Sequence, residues 1–291
     1  MEKLKNIKAI AFDADDTLWA LQNYFEDVEH EYCELLAEYG KEKDISAALF
    51  ETESKNMADL GYGCKAFTIS LVENAVKVSH GKVEANVIAQ IVDLGKSLLH
   101  LDAKPLEGVE KTLACFREMK KYKLAVFTKG ELMDQENKLW RSGLQRYFDV
   151  VTIVSDKTPK AYHRLCRELD VTPDELVMVG NSFKSDIAPA LKIEASTVHI
   201  PFHTTWAHEK TEEFEHPKLR RISRFEELLK INGYKISGRI LWLINPHYMQ
   251  KFKLRPRKLN KSLSQIRYLR NFFCTSCFYI TNIIPKDVEK N

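Results

Sequence analysis

Residues 7–18 read Ile7-Lys8-Ala9-Ile10-Ala11-Phe12-Asp13-Ala14-Asp15-Asp16-Thr17-Leu18, an apolar run that stops abruptly at three carboxylates and a threonine. A short run of this kind, bounded by polar residues, suits a strand buried on both faces, as parallel sheets require. The same arrangement recurs downstream. Leu124-Ala125-Val126-Phe127 stops at Thr128-Lys129-Gly130, Val150 to Val154 stops at Ser155-Asp156-Lys157, and Leu176 to Val179 stops at Gly180-Asn181-Ser182. A fifth run, Thr197 to Ile200, stops at Pro201. Amphipathic helical spacing lies between these runs, in Val109, Leu113, Phe116, Met119 and in Tyr162, Leu165, Cys166, Leu169. Strands alternating with helices predict an α/β fold with a Rossmann-like parallel sheet. Ligands of open parallel sheets bind beyond the carboxyl ends of the strands, so the polar clusters are expected to meet in one crevice.

Residues 21–103 interrupt the alternation. They read as four helices over 24–39, 46–60, 64–79 and 83–100, with Ser46 as an N-cap and Gly61-Tyr62-Gly63 as a loop. The expected organisation is a core of residues 1–20 and 104–232, a helical cap domain inserted at 21–103, and a C-terminal extension at 233–291.

The residue types at the strand ends point to phosphoryl chemistry. Asp13 and Asp15 are two apart, which on a continuing strand places both side chains on one face. A carboxylate nucleophile needs an electron-poor target such as a phosphoryl group, and a second carboxyl group is needed to protonate the leaving group and then activate water. Asp186 adds a third carboxylate; with Asp13 and Asp15 it suits a hard cation such as magnesium, held through oxygen ligands. Thr128 and Lys157 offer a hydroxyl and a positive charge to phosphate oxygens. Taken singly, a D-x-D also serves as a helix cap or solvated turn, and Lys157 as a surface lysine. The order of the four clusters, each at a strand end, carries the reading.

With these motifs in place the sequence resembles the haloacid dehalogenase-like (HAD) hydrolase superfamily, in its C1-capped phosphatase type. Asp13-Ala14-Asp15-Asp16-Thr17-Leu18 matches the first motif, Thr128 the second, Lys157 the third, and Gly180-Asn181-Ser182 through Asp186 the fourth. The resemblance implies a magnesium-dependent phosphatase forming an aspartyl-phosphate intermediate from a small phosphorylated metabolite. It makes Asp13 the nucleophile, Asp15 the acid/base, and Thr128 and Lys157 the phosphate binders. Asp13, the main-chain carbonyl of Asp15, and Asp186 become the Mg2+ ligands. Three departures stand out: Asp16 in a position that is often Gly, Asn181 replacing an acid, and a compressed third motif in which Lys160 is the alternative to Lys157. Dehalogenases of the family lack an acid two residues after the nucleophile. Phosphosugar mutases keep both acids, and a non-catalytic HAD-like binding module is the reading from another class.

Lys129, Asn181 and Lys65 complete the expected substrate contacts, Lys65 from the loop that presents Tyr62 to the core. His203 and His208 are five apart, which does not give a one-face helical metal site, so their loop is expected beside the rim of the site. The formal charge of +3 conceals an asymmetry: residues 233–291 carry twelve Lys and Arg against Asp287 and Glu289, a formal +10, leaving −7 on residues 1–232. That balance argues against a chain that binds nucleic acid throughout; it fits a tail, disordered or loosely docked, that touches anionic surfaces weakly. The uncharged stretch Phe272 to Ile284 is too short to span a bilayer, and no apolar leader precedes the first strand, so a cytoplasmic enzyme is expected. Cys274 and Cys277 form a C-x-x-C without the second pair a zinc site needs, and Cys33, Cys64, Cys115 and Cys166 read as small core residues.

Overall fold

The structure is a computed structural model and describes Leu4 and residues 6–231. The basic extension, with Cys274, Cys277 and the Phe272 to Ile284 stretch, lies outside the described residues. The sheet has six strands, all parallel, in the order β3-β2-β1-β4-β5-β6. They are β1 (Ala9–Phe12), β2 (Lys123–Lys129), β3 (Val150–Val154), β4 (Leu176–Gly180), β5 (Ser196–His199) and β6 (Leu219–Arg221). The first five follow the apolar runs. β6 is a three-residue edge strand, Leu-Arg-Arg, with no run to announce it.

Alternation along β1 divides the core. Ile10 and Phe12 pack with Val109, Leu113 and Phe116 of α5 (Val109–Met119) on one face of the sheet. Ala9 and Ala11 pack with Tyr162, Leu165 and Leu169 of α7 (Pro159–Leu169) on the other. Small residues on the second face let α7 approach closely while Phe12 fills the first.

Between β1 and β2 lie α1 (Gln22–Leu35), α2 (Glu42–Leu60), α3 (Cys64–Val78) and α4 (Ala85–Ser97), packed around their own cluster of Tyr32, Leu49, Phe67, Leu71 and Ile91. A Cβ on Gly95 would fall 2.0 Å from Thr68 Oγ1, so this glycine permits the close approach of α3 and α4. Ser46 is not the N-cap of α2. That helix begins at Glu42, with Glu42 and Asp44 in its first turn, where the helix dipole favours acids, and Ser46 Oγ donates to Glu29 instead. The four described cysteines are buried and free. Among the described residues no helix is long and apolar enough to cross a membrane.

Candidate active site

One cavity opens where the carboxyl ends of β1, β2 and β4 meet α1, α2 and α3. The strand ends form its floor and the inserted helices its roof. Asp13 follows β1, and its backbone N–H donates to the Val179 carbonyl (2.9 Å), tying the ends of β1 and β4 together. Lys157, buried after β3, donates through Nζ to Asp13 and to Asp186 Oδ1 (2.7 Å). Lys160, the alternative, is exposed on α7. Thr17 Oγ1 lies 3.2 Å from both Asp13 Oδ2 and Asn181 Oδ1, and Thr128 at the end of β2 donates to Gln135 Oε1 (3.4 Å).

Burial pushes the Asp13 carboxyl up to about 7; Lys157 opposes the shift and Asp186 reinforces it. Burial alone would lower Lys157, but the carboxylates of Asp13 and Asp186 outweigh it and hold the ammonium firmly charged. Two acids therefore share one lysine, and the floor is short of positive charge. Asp186 is placed by a π-helical turn, Phe183–Ile187, and by the backbone N–H of Ser182, which donates to its Oδ2 (2.9 Å). Tyr162 OH donates to the carbonyls of Ser185 (3.2 Å) and Asp186 (3.0 Å). A Cβ on Gly180 would fall 2.2 Å from Asp186 Oδ2, so the glycine makes room for the carboxylate.

Asp15 is held apart from this pair. Lys138 Nζ donates to both its oxygens (2.8 and 2.9 Å), Trp19 Nε1 to Oδ1 (2.8 Å) and Gln135 Nε2 to Oδ2 (2.7 Å). Lys138 and Gln135 lie on α6 (Leu132–Arg141) with Asp134, whose carboxylate is 3.2 Å from the same ammonium. Burial would lower Lys138; Asp15 and Asp134 overcome it and raise it. The sequence reading missed this group. Its only trace is the i,i+4 spacing of Asp134 and Lys138 and of Glu131 and Gln135, which also describes an ordinary solvated helix.

Asp16 adopts φ +59°, and its carboxylate accepts from the backbone N–H groups of Leu21 (2.7 Å) and Gln22 (3.1 Å). The residue standing where the family often has Gly thus takes a left-handed conformation that Asp tolerates, and it caps the start of α1.

Of the expected substrate contacts, Lys65 lies outside the cavity lining and Lys129 lines it already paired. Lys65 does not line the cavity; its Nζ donates to Glu131 (2.9 Å) on a half-exposed surface. Lys129 does line it, but its ammonium is bonded to Glu209 and donates to Ser185 Oγ (3.1 Å), beneath the Tyr62 ring 4.1 Å away. Glu209 also accepts from Ser182 and Ser185. Its loop brings Trp206 to the rim, and His208 stacks on Phe50 at 4.2 Å, with the His203 ring against Phe202.

The donor set fits a hard cation. The two carboxylates around Lys157 leave negative charge uncompensated, and every donor here is oxygen, the chemistry Mg2+ takes. Among the described residues no three His, Cys, Asp or Glu side chains form a metal-ligating group, as follows when Asp15 turns its carboxylate to Lys138 and only its main chain is left for a ligand.

A parallel-sheet enzyme with carboxylates and a lysine gathered at its strand ends is the class that fold and site define. The chain matches the family described as haloacid dehalogenase-like hydrolase over residues 7–193 and belongs to it. It is 30% identical over 200 residues to a protein of Methanopyrus kandleri named glyceraldehyde 3-phosphate phosphatase, covering 67% of this chain and 84% of the relative. A haloacid dehalogenase-like family hydrolase from Xanthomonas campestris superposes with TM-score 0.69 at 28% identity, over 84% of this chain and 95% of that one. A 2-haloacid dehalogenase from Pseudomonas syringae pv. Tomato shares the fold, with TM-score 0.54 at 20% identity over 78% of this chain and 98% of that one. The fold alone therefore does not separate phosphatase from dehalogenase, and the choice falls to the site.

Proposed function

We propose that this hydrolase is a Mg2+-dependent phosphatase acting on a small phosphomonoester through an aspartyl-phosphate on Asp13. The carrying observation is that the two acids of the D-x-D sit in one cavity on different lysines: Asp13 on Lys157, and Asp15 on Lys138. Two separately held carboxyl groups suit two tasks. Asp13 attacks phosphorus and displaces the alcohol, whose oxygen takes a proton from Asp15. Asp15 then accepts a proton from the water that cleaves the acyl phosphate. Lys157 and Thr128 neutralise and orient the phosphoryl oxygens. Asp13, the main-chain carbonyl of Asp15, and Asp186 are the residues to hold Mg2+, which when bound supplies the positive charge this floor lacks. The helices between β1 and β2 serve as the cap that closes over the ester.

Asp15 is what favours this over halide displacement, which requires no proton. The curated relatives named as glyceraldehyde 3-phosphate phosphatases make that compound the first ester to try. The test is phosphate release from p-nitrophenyl phosphate and glyceraldehyde 3-phosphate with Mg2+, lost on chelation and restored by the metal. Halide release from 2-haloacids in the absence of any phosphate release would sink the proposal.

A further inference from the structure

The roof of the cavity differs in chemistry from its floor. Phe25, Met57, Tyr62 and Phe67 form its walls, with the rings of Phe25 and Phe67 tilted together at 5.0 Å. No Lys, Arg or His from α1, α2 or α3 lines it; Lys65 is turned out to Glu131. The one charged residue of the roof is Glu53 on α2. No hydrogen bond or ion pair holds Glu53 among the described residues. Its neighbour Asn56 donates to Ser70 (3.1 Å) and Glu73 (2.8 Å), leaving Glu53 to face the cavity alone. Burial, with Glu29 adding to it, pushes Glu53 up to about 7, as expected where no cation is near.

The lysines of the lining are already engaged: Lys157 by Asp13 and Asp186, Lys138 by Asp15 and Asp134, Lys129 by Glu209. Seven carboxylates line the cavity against these three lysines. A substrate whose leaving group carried a carboxylate or a second phosphate would find no free cation, and would meet Glu53. A leaving group bearing hydroxyl or ammonium donors would give that carboxylate its missing partner, with its carbon skeleton against the aromatic wall.

We propose that Glu53 is the specificity residue of this cavity, selecting phosphomonoesters whose leaving alcohol carries hydrogen-bond donors and no negative charge. This rests on the phosphatase reading and adds to it the class of alcohol.

The test measures kcat/KM of the full chain with Mg2+ at about pH 8, where Glu53 is charged, on glycerol 3-phosphate, phosphoethanolamine, phosphoglycolate and p-nitrophenyl phosphate. The native enzyme is expected to favour the first two over phosphoglycolate by about tenfold or more, the scale of one charged contact in a partly exposed site. The glycerol and ethanolamine arms separate a hydroxyl partner from an ammonium partner. Glu53→Gln should shrink the preference and Glu53→Lys should reverse it, chiefly through KM. Turnover of p-nitrophenyl phosphate with a preference unchanged within about twofold by Glu53→Lys overturns the assignment of Glu53. So does a native preference for phosphoglycolate. No turnover of any ester, p-nitrophenyl phosphate included, overturns the phosphatase reading and the inference with it.

Discussion

On the floor of the cavity Asp13 and Asp186 meet Lys157, and Asp15 and Asp134 meet Lys138; in the roof Glu53 stands among Phe25, Met57 and Phe67 with no partner among the described residues. The floor groups are anchored on strand ends and on α6, so their geometry is set before substrate arrives, as charge stabilisation in a transition state requires. The roof group is anchored on a separate helical insertion with its own core, and its pairing is left for a ligand. On the proposed reading, chemistry belongs to the strand ends and choice of substrate to the inserted helices.

The largest effect is expected at Asp13, the proposed nucleophile. Asp13→Asn is expected to reduce phosphate release by about 10^4-fold or more, and labelled substrate should leave no phosphate on the protein. The same substitution removes a carboxyl raised from 3.8 to about 7 in the folded state. Such a group favours the fold while protonated, and that contribution is lost as pH rises through about 7. Metal-free native protein should therefore lose stability between about pH 4 and 7, and the Asn variant should lose less, compared by thermal melts at both pH values.

Next in size is Asp15, the proposed acid and base, with its anchor. Asp15→Asn should slow turnover by about 100-fold or more, the usual scale for general acid–base catalysis. Lys138→Met strands the buried carboxylate of Asp134 and the half-buried one of Asp15; it should cost about 3–5 kcal/mol in denaturant unfolding and lower kcat, with the pH–rate profile displaced. An unchanged profile in a folded Lys138→Met protein would make the lysine structural only.

A smaller effect distinguishes the proposed metal ligands. Asp186→Ala should raise the Mg2+ needed for half-maximal activity more than Asn181→Ala does, because only Asp186 brings a formal charge. The opposite order in a titration would move the site to Asn181. Smallest of all is Lys65→Ala. Its pair with Glu131 is half exposed, so stability should fall by no more than about 1 kcal/mol and KM should stay within about twofold of native. A large rise in KM would return Lys65 to the substrate.

How much of this was legible in the sequence differs from residue to residue. Asp13, Thr128, Lys157 and Asp186 line one cavity because each lies at or beyond the end of an apolar strand run, and a parallel sheet delivers all such ends to one edge. Lys65 was misplaced by a single residue of helical phase. α3 begins at Cys64, so Cys64 and Phe67 turn inward, while Lys65, about 100° further round, points to solvent. The loop was legible, but the direction of its lysine waited on where the helix began.

The sequence by itself determined the α/β alternation, the long insertion after β1 and the order of the motifs, because these depend on hydrophobic period and spacing along a few residues of chain. Only the tertiary structure decided which lysine neutralises which acid. Lys138 is 123 residues from Asp15, and Lys157 is 144 from Asp13. The same holds for Glu53. On α2 it reads as one acid among several on a polar helix, and its lack of a partner exists only once α1, α2 and α3 are laid across the strand ends. Charge pairing across such separations is fixed by packing, and no local pattern encodes which groups will be left over.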